Sequence, residues 1–239
     1  MLSAEIIAIG SELLTPDKTD TNSLWLTEKL NEIGVEVKLK TVVGDDEARL
    51  EETIRDAVKR SNVVITTGGL GPTEDDITRK ISARALDRQL VFEEELLEDL
   101  RERFLAYGYE MPEKNRSQAY IIEGASILPN PNGSAVGMLA EFDRKYLVVL
   151  PGPPREMKPM FRDHILPMLR ESAGKISVKR KTLKVSGVGE SALDELIAPI
   201  YTAYKNPQTA TLFNKTAIDI QLTAQAETEE GSDKLNQEL

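Results

Sequence analysis

Residues 63–78 read VVITTGGLGPTEDDIT, and the fold turns on how this stretch is parsed. Val63, Val64 and Ile65 form a short apolar run ended by a turn signal, the pattern of a buried strand. Gly68, Gly69, Gly71 and Pro72 then interrupt any regular element. The chain resumes at Thr73, and Glu74, Asp75 and Asp76 are expected at the start of a helix running through Leu86. Strand, glycine turn and helix start are the parts of a polyanion site at the carboxyl edge of a parallel sheet. Glycines let backbone N–H groups approach a phosphate, and a helix N-terminus adds free donors. Carboxylates beside a phosphate repel it unless a metal cation or a ligand hydroxyl lies between. Acidic N-capping of an ordinary helix accounts for the same carboxylates without any ligand.

Outward from this stretch, strand and helix patterns alternate. Residues 4–9 read as a strand that ends in Gly10, Ser11 and Glu12. Thr21, Asn22 and Ser23 open a helix that carries Leu24, Leu26, Leu30 and Ile33 and stops at Gly34. Residues 35–43 alternate as a strand ended by Gly44, Asp45 and Asp46, and residues 47–60 place Leu50, Ile54 and Val58 on one helical face. Strand–helix–strand–helix–strand with short links predicts an α/β domain with a mostly parallel, doubly wound sheet. The polar turns at the strand ends are then expected to converge on one edge.

Residues 90–108 are expected to form one amphipathic helix with Phe92, Leu96, Leu97, Leu100 and Phe104 buried. Lys114, Asn115, Arg116 and Gln118 read either as the cationic part of a site or as a plain surface helix. The small-residue loop 130–137, with Asn132 and Gly133, is placed to fold over a ligand. Residues 138–142 and 146–150 read as a strand pair. Pro151, Gly152, Pro153 and Pro154 then lead into a helix to Arg170, with Arg155 and Glu156 at its mouth. A boundary near residue 172 separates residues 1–172 from 173–239, whose β-α-β-β-α order predicts a small α+β domain.

Composition narrows the chemistry. With 40% hydrophobic and 29% charged residues, the chain has the make-up of a soluble globular protein. A formal charge of −10 argues against broad nucleic-acid binding, which needs a cationic face. There is no cysteine, which removes disulfides and thiolate metal sites, and the single histidine, His164, argues against His-rich metal sites and a Ser-His-Asp triad. Any metal must be held by oxygen ligands, which points to Mg2+ or a similar divalent cation. No apolar run approaches the ~18 residues of a membrane span, and no basic N-terminal region marks a signal peptide. The expected location is cytoplasmic, without a membrane partner.

The motifs add up to a resemblance. Residues 9–14 (IGSELL), 20–23 (DTNS), 43–46 (VGDD) and 66–78, Asn115 and Gln118, and residues 130–137 and 150–157 together resemble the N-terminal part of the CinA (competence/damage-inducible) family. They are more distantly similar to the molybdopterin-binding MoaB, MogA and MoeA proteins. GGLGPTEDDIT combined with LPGPPREM carries most of the specificity. The resemblance implies a three-layer α/β domain of molybdopterin-binding type followed by a small KH- or ferredoxin-like domain. It implies metal-dependent ADP-ribose pyrophosphatase activity in the first domain and assembly as a dimer or trimer. In the molybdopterin proteins, aspartates matching Asp45 and Asp76 are required, and Asp75 favours the CinA branch. Full-length relatives carry a further domain that hydrolyses the amide of nicotinamide mononucleotide, and this chain is expected to end before it.

The expected reaction is therefore cleavage of a nucleoside diphosphate sugar, ADP-ribose, to AMP and ribose 5-phosphate. Asp45, Asp75, Asp76 and Glu156 are the expected catalytic residues and metal ligands. Gly10, Ser11, Glu12, Asn22, Gly68, Gly69, Gly71, Thr73, Thr78, Asn115, Asn132, Gly133, Pro151 and Gly152 are expected to hold the substrate, with Lys114 and Arg155 offsetting phosphate charge. A rival reading makes the same loops a molybdopterin- or nucleotide-binding module without turnover. A third makes the basic run from Lys175 to Lys184 a nucleic-acid contact. It lacks the Gly-X-X-Gly loop with flanking cations, since Gly187-Val188-Gly189-Glu190 is shorter and acidic.

Overall fold

The structure, a computed structural model, describes residues 2–174, 176–213 and 217–238. They divide into two compact units, one comprising residues up to 30 and 35–169, the other residues 31–34 and those from 170 onward. No helix among the described residues is long and apolar enough to cross a membrane.

The first unit runs β1 (Ser3–Ile9), α1 (Thr21–Glu32), β2 (Glu36–Val43), α2 (Glu47–Arg60), β3 (Val63–Thr67) and α3 (Thr78–Ala85). It continues with β4 (Leu90–Phe92), α4 (Glu94–Ala106), β5 (Tyr120–Ile122), β6 (Ser126–Leu128), β7 (Gly137–Phe142) and β8 (Lys145–Leu150). A final helix forms α5 (Pro154–Met160), a π-helical turn at Phe161–Ile165, and α6 (Leu166–Ala173), whose residues from Arg170 on belong to the second unit. Six strands make one sheet in the order β2-β1-β3-β8-β7-β6. β2, β1, β3 and β8 run parallel, and β7 is antiparallel to β8. Ile6 to Ile9, Val63 to Ile65 and Leu147 to Leu150 are all buried, as expected for strands covered on both faces by helices. From β1 the chain moves outward to β2, then returns past β1 to β3. The junction between β1 and β3 is thus the point where strand order reverses, the usual binding crevice of such sheets.

Local chemistry sets the helix boundaries. The Asp20 side chain caps α1 by accepting from the Ser23 amide at 2.9 Å. Asp46 does the same for α2, accepting from the Arg49 amide at 2.9 Å. The helix expected from Thr73 begins instead at Thr78. The Asp76 amide bonds the Thr73 carbonyl, and the Asp76 side chain accepts from the Thr73 amide, so Thr73 to Asp76 close into a separate turn. The single helix expected over residues 90–108 is a strand followed by a helix. Leu90 to Phe92 pair with β5, and Phe92 packs edge-on against Tyr120 at 5.1 Å between ring centres. The four-residue spacing of Phe92 and Leu96 imitates a helix, and tertiary strand pairing overrides it.

The second unit contains β9 (Ser177–Val185), α7 (Glu190–Tyr201), β10 (Gln208–Phe213), β11 (Ile218–Ala226) and α8 (Glu229–Glu238). Its antiparallel sheet has the order β10-β11-β9. Ile218, Ile220 and Leu222 alternate along β11 and pack with Leu193 of α7. In the basic run, Lys184 pairs with Asp219 at 3.3 Å and Lys179 with Glu229 at 3.4 Å, so part of its charge is spent within the unit. Lys175 lies outside the described residues.

Gly68 joins the ends of β1 and β3. Its φ is +112°, and a Cβ there would stand 2.1 Å from the Ile9 carbonyl oxygen, a backbone atom that cannot swing away. Gly68→Ala is expected to destabilise the unit by about 1–3 kcal/mol, the scale of a strained backbone position, measured by urea denaturation.

Between α2 and α3, Lys80 pairs with Glu47 at 2.8 Å, and Arg84 bridges Glu47 and Glu51. These hydrogen bonds hold the Glu47 and Glu51 carboxyls below their ordinary range. A depressed folded-state pKa contributes stability that is present above the unfolded value and lost as pH falls through the folded one. Arg84→Ala should lower the Tm slightly at pH 7, and the difference should close below about pH 4. Thermal melts at both pH values measure it.

Candidate functional site

The ends of β1, β2, β3 and β8 bring Gly10, Asp45, Gly68 and Pro151 around one cleft of about 480 Å3. Glu12, Gly69, Leu70, Gly71, Asp75, Asp76, Gln118, Ser134, Gly152 and Glu156 complete its walls.

Each carboxylate is held by its own loop. The Ser11 amide donates to Asp45 Oδ2 at 2.9 Å, and the Asp45 amide donates to Ser11 Oγ at 3.0 Å. This reciprocal clasp ties the end of β1 to the end of β2 and leaves Asp45 Oδ1 without a protein donor among the described residues. Thr73 donates to Asp76 Oδ2 from its amide at 2.9 Å and from its hydroxyl at 2.6 Å. Glu156 is only 7% exposed. Asn130 Nδ2 donates to Glu156 Oε2 at 2.8 Å and also to the Ala135 carbonyl at 2.8 Å, while Asn130 Oδ1 accepts from the Asn132 amide. Loop 130–135 is thereby folded onto Glu156, so closely that a Cβ at Gly133 would lie 2.2 Å from Glu156 Oε2.

The glycine turn is oriented from behind. The Thr78 amide donates to the Gly69 carbonyl at 3.2 Å. Arg79 Nη2 at 3.1 Å and Gln118 Nε2 at 3.3 Å both donate to the Leu70 carbonyl. In a planar trans peptide the N–H points opposite to the C=O of the same unit. With both carbonyls drawn back, the amides of Leu70 and Gly71 point away from those donors, and neither finds an acceptor among the described residues. Consecutive free amides of this kind make an anion-binding nest. Gly69 takes φ +64°, and a Cβ there would stand 2.2 Å from Thr78 Oγ1, so the turn has no room for a side chain.

The cleft wall carries Glu12, Asp45, Asp75, Asp76 and Glu156 and no lysine or arginine. Among the described residues, no three acidic or histidine side chains stand close enough together to hold a metal on their own. Asp45, Asp75, Asp76 and Glu156 share the cleft but do not form a four-ligand cage. All-oxygen donors with one or two carboxylates fit Mg2+, which keeps waters and takes its remaining ligands from substrate phosphates.

Two pockets adjoin the cleft. One of about 170 Å3 shares Glu12 and Gly152 with it and is lined by Asn22. Asn22 Nδ2 donates to Thr67 Oγ1 at 3.0 Å and to the Gly152 carbonyl at 2.7 Å, so it joins α1 to the ends of β3 and β8. The other, of about 360 Å3, shares Ser134 and is lined by Arg103, Phe104, Tyr107, Asn132, Gly133 and Arg155. Arg103 donates to the Asn130 and Gly133 carbonyls at 2.7 and 2.9 Å, and Asn132 Nδ2 to the Arg155 carbonyl at 2.9 Å, which fixes the dividing loop.

Several expected ligand contacts are supports instead. The Ser11 and Thr73 hydroxyls hold Asp45 and Asp76. Thr78 is buried behind Gly69. Asn115 is buried and hydrogen-bonds Gln118 Oε1 at 2.9 Å, acting one residue behind the wall. Lys114 is exposed and lines none of these three clefts, because its short 3-10 helix turns Asn115 and Gln118 inward and Lys114 outward. His164, on the π-helical turn, is an exposed surface residue.

The sequence marks Asn130 only as part of the loop 130–137, with no role of its own, and does not mark Arg79. The first has a legible signal, an asparagine at the head of a small-residue loop. Arg79 is only 4% exposed, makes no ion pair among the described residues, and its Nε is buried without a partner. Burial pushes its pKa down to about 10, against the opposing pull of the Asp76 charge, so it is still cationic at neutral pH.

The family model described as a probable molybdopterin binding domain matches residues 5–171, and that of the damage-inducible protein CinA KH domain matches residues 180–239. A CinA-like protein of Solibacter usitatus is 50% identical over 238 residues, covering 100% of this chain and 57% of the relative. One of Koribacter versatilis is 45% identical over 231 residues, covering 95% and 56%. The chain thus spans little more than half the length of these curated relatives. A solved structure, the protein CinA of unknown function from Thermoplasma acidophilum, matches with a TM-score of 0.63 at 29% identity, over 67% of this chain and 94% of that one. On these matches the chain belongs to the CinA family, with a domain of molybdopterin-binding type followed by a CinA KH domain.

Proposed function

We propose that the first domain hydrolyses the pyrophosphate bond of a nucleoside diphosphate sugar, ADP-ribose being the leading substrate. One observation carries this reading: Leu70 and Gly71, whose amides find no acceptor among the described residues, line a cleft whose lining charges are all carboxylates. The amides suit a phosphate, and the carboxylates demand a cation to accompany it.

In this reading the Leu70 and Gly71 amides hold one phosphate through charge-assisted hydrogen bonds. Asp45 and Asp76, each fixed through Oδ2, offer their other oxygens to a divalent cation. That cation, when bound, offsets phosphate charge and lowers the pKa of a bound water. Glu156, steadied by Asn130, receives the proton of the attacking water through Oε1. The water oxygen bonds to phosphorus and the bridging P–O bond breaks, giving AMP and ribose 5-phosphate. The pocket of Phe104, Tyr107 and Arg155 receives the far end of the ligand, where ring faces and a guanidinium suit a flat heterocycle. The match to a molybdopterin-binding family model favours a second reading, retention of a pterin or nucleotide without turnover.

Incubation with ADP-ribose and Mg2+ should release AMP, detected by chromatography, and chelation should abolish it. Absence of AMP with any divalent metal, together with tight pterin binding, would replace this reading with the second. Asp45→Asn can keep an oxygen for the Ser11 amide, and Asp76→Asn one for Thr73. Both variants should fold normally and lose about 100-fold or more in kcat/KM, the scale of removing one electrostatic contact to the transition state.

A further inference from the structure

The wall of the main cleft carries no cation, yet one lies buried behind it. The Arg79 guanidinium sits at the first turn of α3 under the glycine turn, 4% exposed. Its Nη2 donates to the Leu70 carbonyl at 3.1 Å. No carboxylate reaches it at ion-pair distance among the described residues, and Asp76, the one acidic group whose charge it feels, spends Oδ2 on Thr73. Nε has no hydrogen-bond partner among the described residues.

A buried charge without a counter-ion is costly, and proteins rarely keep one for stability. The Leu70 carbonyl does not need it, because Gln118 Nε2 donates to the same oxygen at 3.3 Å. What remains is the effect on the far side of the turn. Drawing back the Leu70 carbonyl points the Gly71 amide outward, and the low-dielectric interior carries the positive charge through to the nest with little screening.

We infer that Arg79 is the built-in counter-charge of the anion nest, a positioning residue that turns the Leu70–Gly71 peptide and makes the turn selective for a phosphate dianion or a pyrophosphate over a neutral ligand. The inference rests on the nest of the proposed function but not on turnover. Arg79 does not touch the ligand. It acts through the peptide plane and through its field, and its missing partner is the ligand itself. This separates it from Arg103, which bonds the Asn130 and Gly133 carbonyls, and from the exposed Arg155, whose Nε stands 3.8 Å from Glu156 Oε1.

The test uses inorganic pyrophosphate with Mg2+ as the probe, titrated calorimetrically into the whole chain. Three variants are compared. Arg79→Met keeps the apolar stem and removes the charge, Arg79→Gln keeps a donor without the charge, and Arg79→Lys keeps the charge. The Met variant should melt at or above the wild-type temperature while its pyrophosphate Kd weakens about tenfold or more, the scale of one charge-assisted contact. The Gln variant should bind as weakly as the Met variant, and the Lys variant should recover most of the affinity. A Met variant that melts well below wild type with unchanged pyrophosphate affinity would make Arg79 structural and overturn the inference. So would a Gln variant that binds like wild type, or a wild-type chain that takes up no pyrophosphate. Pyrophosphate binding without AMP release from ADP-ribose would remove the hydrolase reading and leave this one standing.

Discussion

The site depends on two carbonyl oxygens being held from behind. Gly69 offers its carbonyl to the Thr78 amide, and Leu70 offers its carbonyl to Arg79 and Gln118. Peptide planarity does the rest, because an anchored C=O leaves its N–H no choice of direction. The two glycines permit the turn, with Gly68 pressed against the Ile9 carbonyl and Gly69 against Thr78. The sheet supplies the place, since strand order reverses between β1 and β3, the usual position of a binding crevice. Helix α3 begins late, after Ile77, and this delay frees Thr78 to reach Gly69.

The acidic wall and the amide nest are physically opposed, and the opposition is informative. Carboxylates this numerous would expel a bare polyanion. Their separate anchoring, Asp45 by Ser11, Asp76 by Thr73 and Glu156 by Asn130, keeps them apart and limits how many can share one ion. Under the proposed function, such a wall takes a cation that arrives with, or is completed by, its phosphate ligand. In that reading, ligand and metal each supply what the other needs.

Much of this was legible in the sequence. β1, β3 and β8 are apolar on both faces, so their runs of isoleucine, valine and leucine stand out without any periodicity. The glycine turn and the proline-led start of α5 mark strand ends plainly, and the cleft gathers the residues flagged there. Three features were hidden. Asp76 closes a local turn with Thr73, so an acidic stretch that looks like a helix start lies outside the helix. Phe92 has helical spacing to Leu96 yet pairs across a strand with Tyr120. Arg79 reads as an ordinary helix-surface cation, and only the burial of Thr78, Ile81, Ser82 and Ala83 around the same helix places it inside. Long-range packing decides each of these, and local pattern does not carry it.

A crystal structure with Mg2+ and a non-hydrolysable ADP-ribose analogue bears most directly on the amide nest. Phosphate oxygens should lie about 3 Å from the Leu70 and Gly71 nitrogens, with the cation between phosphate and the free oxygens of Asp45 and Asp76. Phosphates bound elsewhere, with both amides still unpaired, would contradict it.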